Sequence, residues 1–226
     1  MSDLHNMSEH LNYCLPLVIL GGGGHAKVLI DALLMCGATI KGVLDPRLAK
    51  GTLVLADVSV IGDDTELALY DPNTVLVVNG VGSLPGQIKR RELYNLLFQR
   101  NYRFTKVIHQ TAIISNFAKL AEGVQVMAGS VIQAGTEIGS NTIINTRASI
   151  DHDCVIGQHV HIAPGAVLSG EVIVEDDVHI GTGASVIQGI HIGAGAVIGA
   201  GASVGKNVAA GATVYPFRTA EKTRLN

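Results

Sequence analysis

The chain has 226 residues, 47% of them apolar and 15% charged, with a formal net charge of −3. That length builds one large or two small domains around a core, and the slightly acidic balance offers no basic field to a nucleic acid backbone. No apolar run reaches the length of a membrane span, and the opening MSDLHNMSEHLNYC lacks the basic start and apolar centre of a secretion signal, so the expectation is a cytoplasmic protein without a membrane partner.

Residues 1–14 read as a tail, and 15–107 as a small α/β domain. Apolar runs alternate there with helical patterns: LPLVIL, GGGGHAKVLIDALLMCG, TIKGVLD, NTVLVVNG, LPGQIKRRELYNLLFQRN and YRFTKVI. The pattern predicts β-α-β units with a parallel sheet. The first strand runs into Gly21-Gly22-Gly23-Gly24-His25-Ala26, and a helix follows. Glycines at that junction let the backbone approach a phosphate or sugar closely, and free amides at a helix start favour an anion. Three readings of this loop stand side by side. Gly21, Gly23 and Ala26, with Asp45 after the second strand, satisfy a dinucleotide fingerprint, although a domain of this size holds only one mononucleotide-binding half. The glycines can also form a tight turn and nothing more. The third reading, a site for a nucleotide-linked ligand, is the one carried forward.

From Ile108 to Val204 every sixth residue is Ile, Leu or Val, seventeen positions in one register. Four residues after each anchor comes a small or β-branched side chain, as at Ala112, Val124, Ser130, Thr136, Cys154 and Ala166. A six-residue period matches neither a helix nor a lone amphipathic strand; it matches the hexapeptide repeat of a parallel β-helix. Three hexapeptides close a triangular coil, and each strand pairs with one about 4.8 Å away in the next coil. The solenoid is expected over 108–209, with a tail over 210–226. Its core must come from small aliphatic side chains, since the whole chain has 27 Gly, 5 Tyr, 4 Phe and no Trp.

Chemistry on such a solenoid falls to side chains that point outward. His152 and Asp153 stand together beside a coil corner, an imidazole with an orienting carboxylate, and Gly170 lies one coil above His152. Bare backbone there can turn an amide toward a developing oxyanion. Cys154 takes an interior position and reads as a packing residue, and Cys14, Cys36 and Cys154 have unrelated spacings that argue against disulfides or a zinc ribbon. His161 and His179 share one position a coil apart and should stack, with His161 able to line the same cleft as His152. Thr182 and Ala200 are likewise one coil apart and should line one groove. His109, His159 and His191 read as surface residues. Zinc carbonic anhydrases use this kind of solenoid, but no two solenoid histidines here stand five residues apart, so no metal is expected.

GGGGHAKVLID opening a short β-α-β domain, the bridge VIHQTA, and a hexapeptide solenoid carrying IDHDCVIGQHVHIAPGAVLSG together resemble the bacterial nucleotide-sugar acyltransferases, most of all the N-acetyltransferases of UDP- or GDP-linked 4-amino-4,6-dideoxy sugars. The likeness spans residues 16 to 209. It implies a Rossmann-like α/β domain followed by a left-handed parallel β-helix, and a homotrimer with acetyl-CoA between neighbouring solenoids and the nucleotide sugar on the N-terminal domain. Carried onto this sequence, His152 matches the general base and Asp153 its partner acid. His161, Gly170, Thr182 and Ala200 match positions along acetyl-CoA. Gly23, Gly24, His25, Asp45, Pro46 and Gly80 match the nucleotide-sugar side. Two departures are visible: Pro46 stands where the family often carries an acid, and VYPFRTAEKTRLN lacks the family's Gly-x-Pro-Ala ending. A sugar O-acetyltransferase of the sialic-acid type, which would use nearly the same residues, and a non-catalytic β-helix scaffold are the alternatives.

Overall fold

A computed structural model describes residues 13–216. The first twelve residues and those from 217 lie outside it, and with them most of both expected tails. β1 (Leu17–Leu20), β2 (Ile40–Leu44) and β5 (Leu76–Asn79) pair in parallel as the apolar runs predict, with α1 over Gly24–Met35 and α2 over Lys89–Gln99. One departure from a purely parallel sheet appears at its edge. β3 (Leu53–Leu55) and β4 (Val58–Gly62) form an antiparallel hairpin, turned at Ala56 with φ +50°, which gives the order β3-β4-β2-β1-β5. A short 3₁₀ helix over Asp64–Leu69 follows, its first turn held by the Asp63 side chain accepting from the Thr65 amide. β1 is wholly buried, so it shows no alternation.

Residues from Val107 form two-residue strands that stack into three parallel faces. Face I runs from Val107–Ile108 to Val197–Ile198 and Thr213–Val214, face II from Ile113–Ile114 to Ser203–Val204, and face III from Lys119–Leu120 to His191–Ile192. From Val126 to Val204 every anchor is at most 3% exposed. The residues four beyond the anchors fill the rest of the interior, and the polar ones satisfy themselves on carbonyls. Ser130, Thr136 and Thr142 hydroxyls donate to the carbonyls of Asn145, Asp151 and Gly157 at 2.8 to 2.9 Å. Cys154 is buried among them, and burial pushes its thiol up to about 11, which suits packing and not nucleophilic attack.

A second six-residue register accompanies the first. At the corner three residues past each anchor, fourteen successive positions from Gly123 to Gly201 have positive φ; eight are glycine, and the others are Asn141, Arg147, Asp153, His159, Glu171 and Asp177. The solenoid breaks register only at its end. Val208 bridges Ile192 and Val214 pairs with Ile198, two residues short of a full coil, and pairing continues past residue 209 to Val214.

Face I is the covered face. Val107 and Met127 belong to the same apolar cluster as Leu17, Leu29, Leu33 and Val78, so the solenoid completes the core of the N-terminal domain. The corners supply a test. Gly189 has φ +70° and open space where a Cβ would stand, so substitution there is opposed by backbone strain alone, about 1–2 kcal/mol. Gly189→Val is expected to lower unfolding stability by that amount and Gly189→Asn by clearly less, read from denaturant or thermal unfolding; equal stability of the two variants would contradict the assignment.

Candidate functional site

A cleft of about 490 Å³ lies where the glycine loop meets face I, within the size range of ligand pockets. Gly23, Gly24, His25, Asp45, Pro46 and Gly80 all line it, joined by Arg47, Asp64, Lys89, Asn145 and His161. The glycines have different causes. A Cβ on Gly80 would strike the Gly21 and Leu20 carbonyls at 2.7 and 2.8 Å, a packing requirement. A Cβ on Gly23 or Gly24 would meet nothing within 4 Å, and Gly23 has an ordinary extended φ of −80°. Neither packing nor backbone strain demands glycine there, which leaves the approach of a ligand as the physical reason. α1 begins at Gly24, and its N-cap Gly23 supplies no side-chain cap, so first-turn amides remain open to the cleft.

Asp45 is 1% exposed, and both its oxygens are engaged by its own chain. Oδ2 accepts from the Gly22 amide at 2.7 Å and Arg47 Nη2 at 3.1 Å, and Oδ1 accepts from the Arg47 amide at 2.8 Å and Nε at 3.3 Å. Burial pushes this carboxyl up, but the bonds from Arg47 and Gly22 outweigh it and hold it at about 2. Asp45 therefore ties down the glycine loop and steers the exposed Arg47 guanidinium to the rim of the cleft. Arg47 and Lys89 were not singled out by sequence reasoning; Arg47 follows directly on the Asp45-Pro46 pair, which was the available signal.

Both cleft histidines are neutral at pH 7. Burial, then Arg90, lowers His25 to about 4 against the opposing bond to Gln125. Burial, then His179, His25 and Arg90, lowers His161 to about 3. His161 and His179 stack as their spacing predicts, ring centroids 4.9 Å apart and edge to face, and Asn145 Nδ2 lies 3.1 Å from His161 Nε2.

His152 and Asp153 lie elsewhere, at the corner joining faces II and III, and neither lines this cleft. His161 and His152 thus do not share one cleft within a chain, because they project from different sides of the triangle. At its own corner the pair is well formed. Asp153 has φ +57°, which bends the chain so that adjacent side chains meet, and His152 Nδ1 donates to Asp153 Oδ2 at 2.9 Å. The bond to Asp153 raises the His152 pKa against slight desolvation. Gly170 sits directly above: a Cβ there would lie 2.5 Å from the imidazole Cε1 and 2.6 Å from Nε2. Thr182 and Ala200 are exposed, one above the other at the corner between faces I and II, where the Gly201 amide donates to the Thr182 carbonyl at 2.8 Å. Among the described residues no group of three or more His, Cys, Asp or Glu is arranged to hold a metal ion, and no helix is long and apolar enough to cross a membrane.

The PglD N-terminal domain family matches residues 16–97 and the bacterial transferase hexapeptide family matches residues 135–170. Among solved structures, PerB from Caulobacter crescentus, in complex with CoA and GDP-perosamine, is 35% identical over 88% of this chain and 92% of its own, with a TM-score of 0.80. The acetyltransferase domain of PglB from Neisseria gonorrhoeae, in complex with acetyl coenzyme A, is 33% identical over 88% of this chain and 94% of its own, also at 0.80. WeeI from Acinetobacter baumannii is 27% identical over 88% and 95%, at 0.73.

The Asp45 clamp has a pH signature. A carboxyl held at about 2, against about 3.9 when unfolded, adds stability that is complete above the unfolded value and is lost as pH falls toward the folded one. The stability difference between wild type and Asp45→Asn should therefore stay constant through neutral pH and narrow as pH falls from about 4 toward about 2. Denaturant unfolding at a series of pH values checks it, and a gap that widens in acid would contradict it.

Proposed function

The chain belongs to the nucleotide-sugar acyltransferases of the left-handed β-helix class and is an acetyl-CoA-dependent N-acetyltransferase of a sugar amine; from that premise we propose that its acceptor is the C4 amine of a UDP- or GDP-linked 4-amino-4,6-dideoxy sugar, with His152 as general base. PerB, solved with a GDP-linked sugar and CoA, supports the substrate class. The observation that carries the base is the corner: Asp153 accepts from His152 Nδ1–H, so Nε2 is the nitrogen with the free lone pair, and it lies beside the bare backbone of Gly170.

In this mechanism His152 Nε2 takes a proton from the attacking amine as the new C–N bond forms. Asp153 holds the ring in that tautomer and favours the imidazolium that results. The Gly170 amide meets the negative oxygen that develops on the thioester carbon, until the C–S bond breaks and CoA leaves as thiolate. Gly23, Gly24, His25 and Gly80 receive the nucleotide sugar, Asp45 and Pro46 shape its rim, and His161, Thr182 and Ala200 flank acetyl-CoA.

The separation of the two sites supports a homotrimer. The cleft opens on face I and the base stands at the corner of faces II and III, so a ring in which one copy's His152 corner meets the next copy's cleft completes the site. Exposed Val155 and Ile173 on face III and Val167 on face II flank that corner, a distribution that supports contact with a neighbouring chain.

His152→Ala is expected to lower kcat by ~10² to 10⁴ with little change in either KM, and Asp153→Asn by less. Because Asp153 raises the His152 pKa, activity should fall as pH drops through the His152 titration, and Asp153→Asn should move that acidic limb to lower pH. Thiol release with UDP- and GDP-linked 4-amino sugars, and their C4-hydroxyl counterparts, reads all of this. Near-normal turnover by His152→Ala would remove the base assignment, and turnover on hydroxyl acceptors alone would remove the amine.

A further inference from the structure

His25 enters the cleft with its ring already spoken for on one side. Its Nε2 lies 2.7 Å from Gln125 Oε1, and Gln125 is a solenoid residue on face I, 1% exposed. An amide side chain can rotate by half a turn and exchange donor for acceptor, so what Gln125 offers His25 depends on its other contact. That contact is Gln125 Nε2 donating to the Asn79 backbone carbonyl at 2.8 Å. A carbonyl only accepts, and the same oxygen also accepts from Arg90 Nη1 at 2.8 Å, so it cannot face the Gln125 oxygen. Gln125 is locked with Oε1 toward His25, and an oxygen acceptor there requires a proton on His25 Nε2. In a neutral imidazole the other nitrogen is then bare.

We propose that Gln125 is a positioning residue that holds His25 as the Nε2–H tautomer, so that His25 presents Nδ1 to the cleft as a hydrogen-bond acceptor for a hydroxyl or N–H group of the nucleotide sugar. The proposal rests on the reading of this cleft as the nucleotide-sugar site. It divides the cleft by chemistry. The first-turn amides of α1, with Arg47 and Lys89, are donors suited to the anionic diphosphate. A bare Nδ1 would repel a phosphate oxygen and so selects a neutral donor on the sugar, ribose or base. Burial of the ring, and then the buried guanidinium of Arg90, keep His25 from gaining a second proton, which would turn the acceptor into a donor.

Nitrogen NMR of histidine-labelled protein tests the tautomer without any substrate. In the wild type the His25 resonances, assigned by their loss in His25→Gln, should show a protonated Nε2 and a bare Nδ1 across neutral pH, and Gln125→Met should lose that single signature. Nucleotide-sugar kinetics test the acceptor. Gln125→Met should raise KM for the nucleotide sugar about tenfold, one hydrogen bond's worth, with KM for acetyl-CoA unchanged. His25→Asn, which can place an oxygen near the Nδ1 position, should retain more affinity than His25→Gln, which keeps only a donor near Nε2. A protonated Nδ1 in the folded wild type overturns the proposal even if the enzyme acetylates a nucleotide sugar. Equal KM values for the Asn and Gln variants overturn the acceptor role even if Gln125→Met does not fold. The expected tautomer in a protein that binds no nucleotide sugar overturns instead the reading of the cleft, and with it the ligand named here.

Discussion

One buried cation holds the two halves of the molecule in register. Arg90, at the start of α2, is 5% exposed and has no carboxylate partner among the described residues. Its guanidinium is carried by carbonyls: Nη1 donates to Asn79 and Val81 at 2.8 and 2.7 Å, and Nε and Nη2 to Asn141 at 3.3 Å. A buried charge without such acceptors would be costly, so the end of β5 and a solenoid corner must both stand where they do. Asn79 Nδ2 adds bonds to the Arg90 carbonyl and to Asn141 Oδ1. The strand end fixed in this way leads into Gly80–Ser83, one wall of the cleft. The same charge lowers the proton affinity of His25 and His161, so the cleft keeps neutral imidazoles within a positive field suited to an anionic ligand.

The architecture was legible because it repeats. A register of seventeen apolar anchors cannot be satisfied by a helix or by one strand, and it named the coil, the interior positions and the stacking of His161 on His179. The β3-β4 hairpin was not legible, since Leu53–Leu55 and Val58–Gly62 are short and carry none of the Asn-Gly or Asp-Gly turn chemistry that marks hairpins. The shortened last coil escaped notice for a related reason: Val208 is apolar in either register, so its identity does not reveal that it bridges Ile192.

Within the site, legibility followed chain proximity. The glycine loop, the Asp45 position and the His152–Asp153 pair are local motifs, and Gly170 came within reach because one coil is a fixed number of residues. Gln125, Asn145 and Arg90 did not, because their parts depend on how a domain of one periodicity packs on a solenoid of another. Gln125 carried only a faint mark: of its equivalents on the same face, Val107, Ile143 and Val197 are apolar, but His161, His179 and Thr213 are polar as it is. A glutamine there, wholly buried, asks for partners that only the neighbouring domain can supply. Separation of His152 from the cleft was also invisible in the sequence, since residues nine apart on a triangular coil can face different sides.

The positive φ of Asp153 invites a reading as strain stored at a reactive site, but the rest of the solenoid argues otherwise. Fourteen successive corners share that conformation, so the cost belongs to turning a coil in six residues and is met again wherever the chain turns. What distinguishes the His152–Asp153 corner is its occupants. Asp tolerates the left-handed region better than most residues, and the turn that it makes brings its carboxylate against the preceding side chain, which at this corner alone among the non-glycine ones is a histidine. The neighbouring coils then have to leave room. A side chain at Gly135, one coil below, would collide with the Asp153 carboxylate, and one at Gly170, one coil above, would collide with the imidazole. The pair is thus set into a notch of two glycines, and the repeat that builds the scaffold also determines where a base can be placed on it.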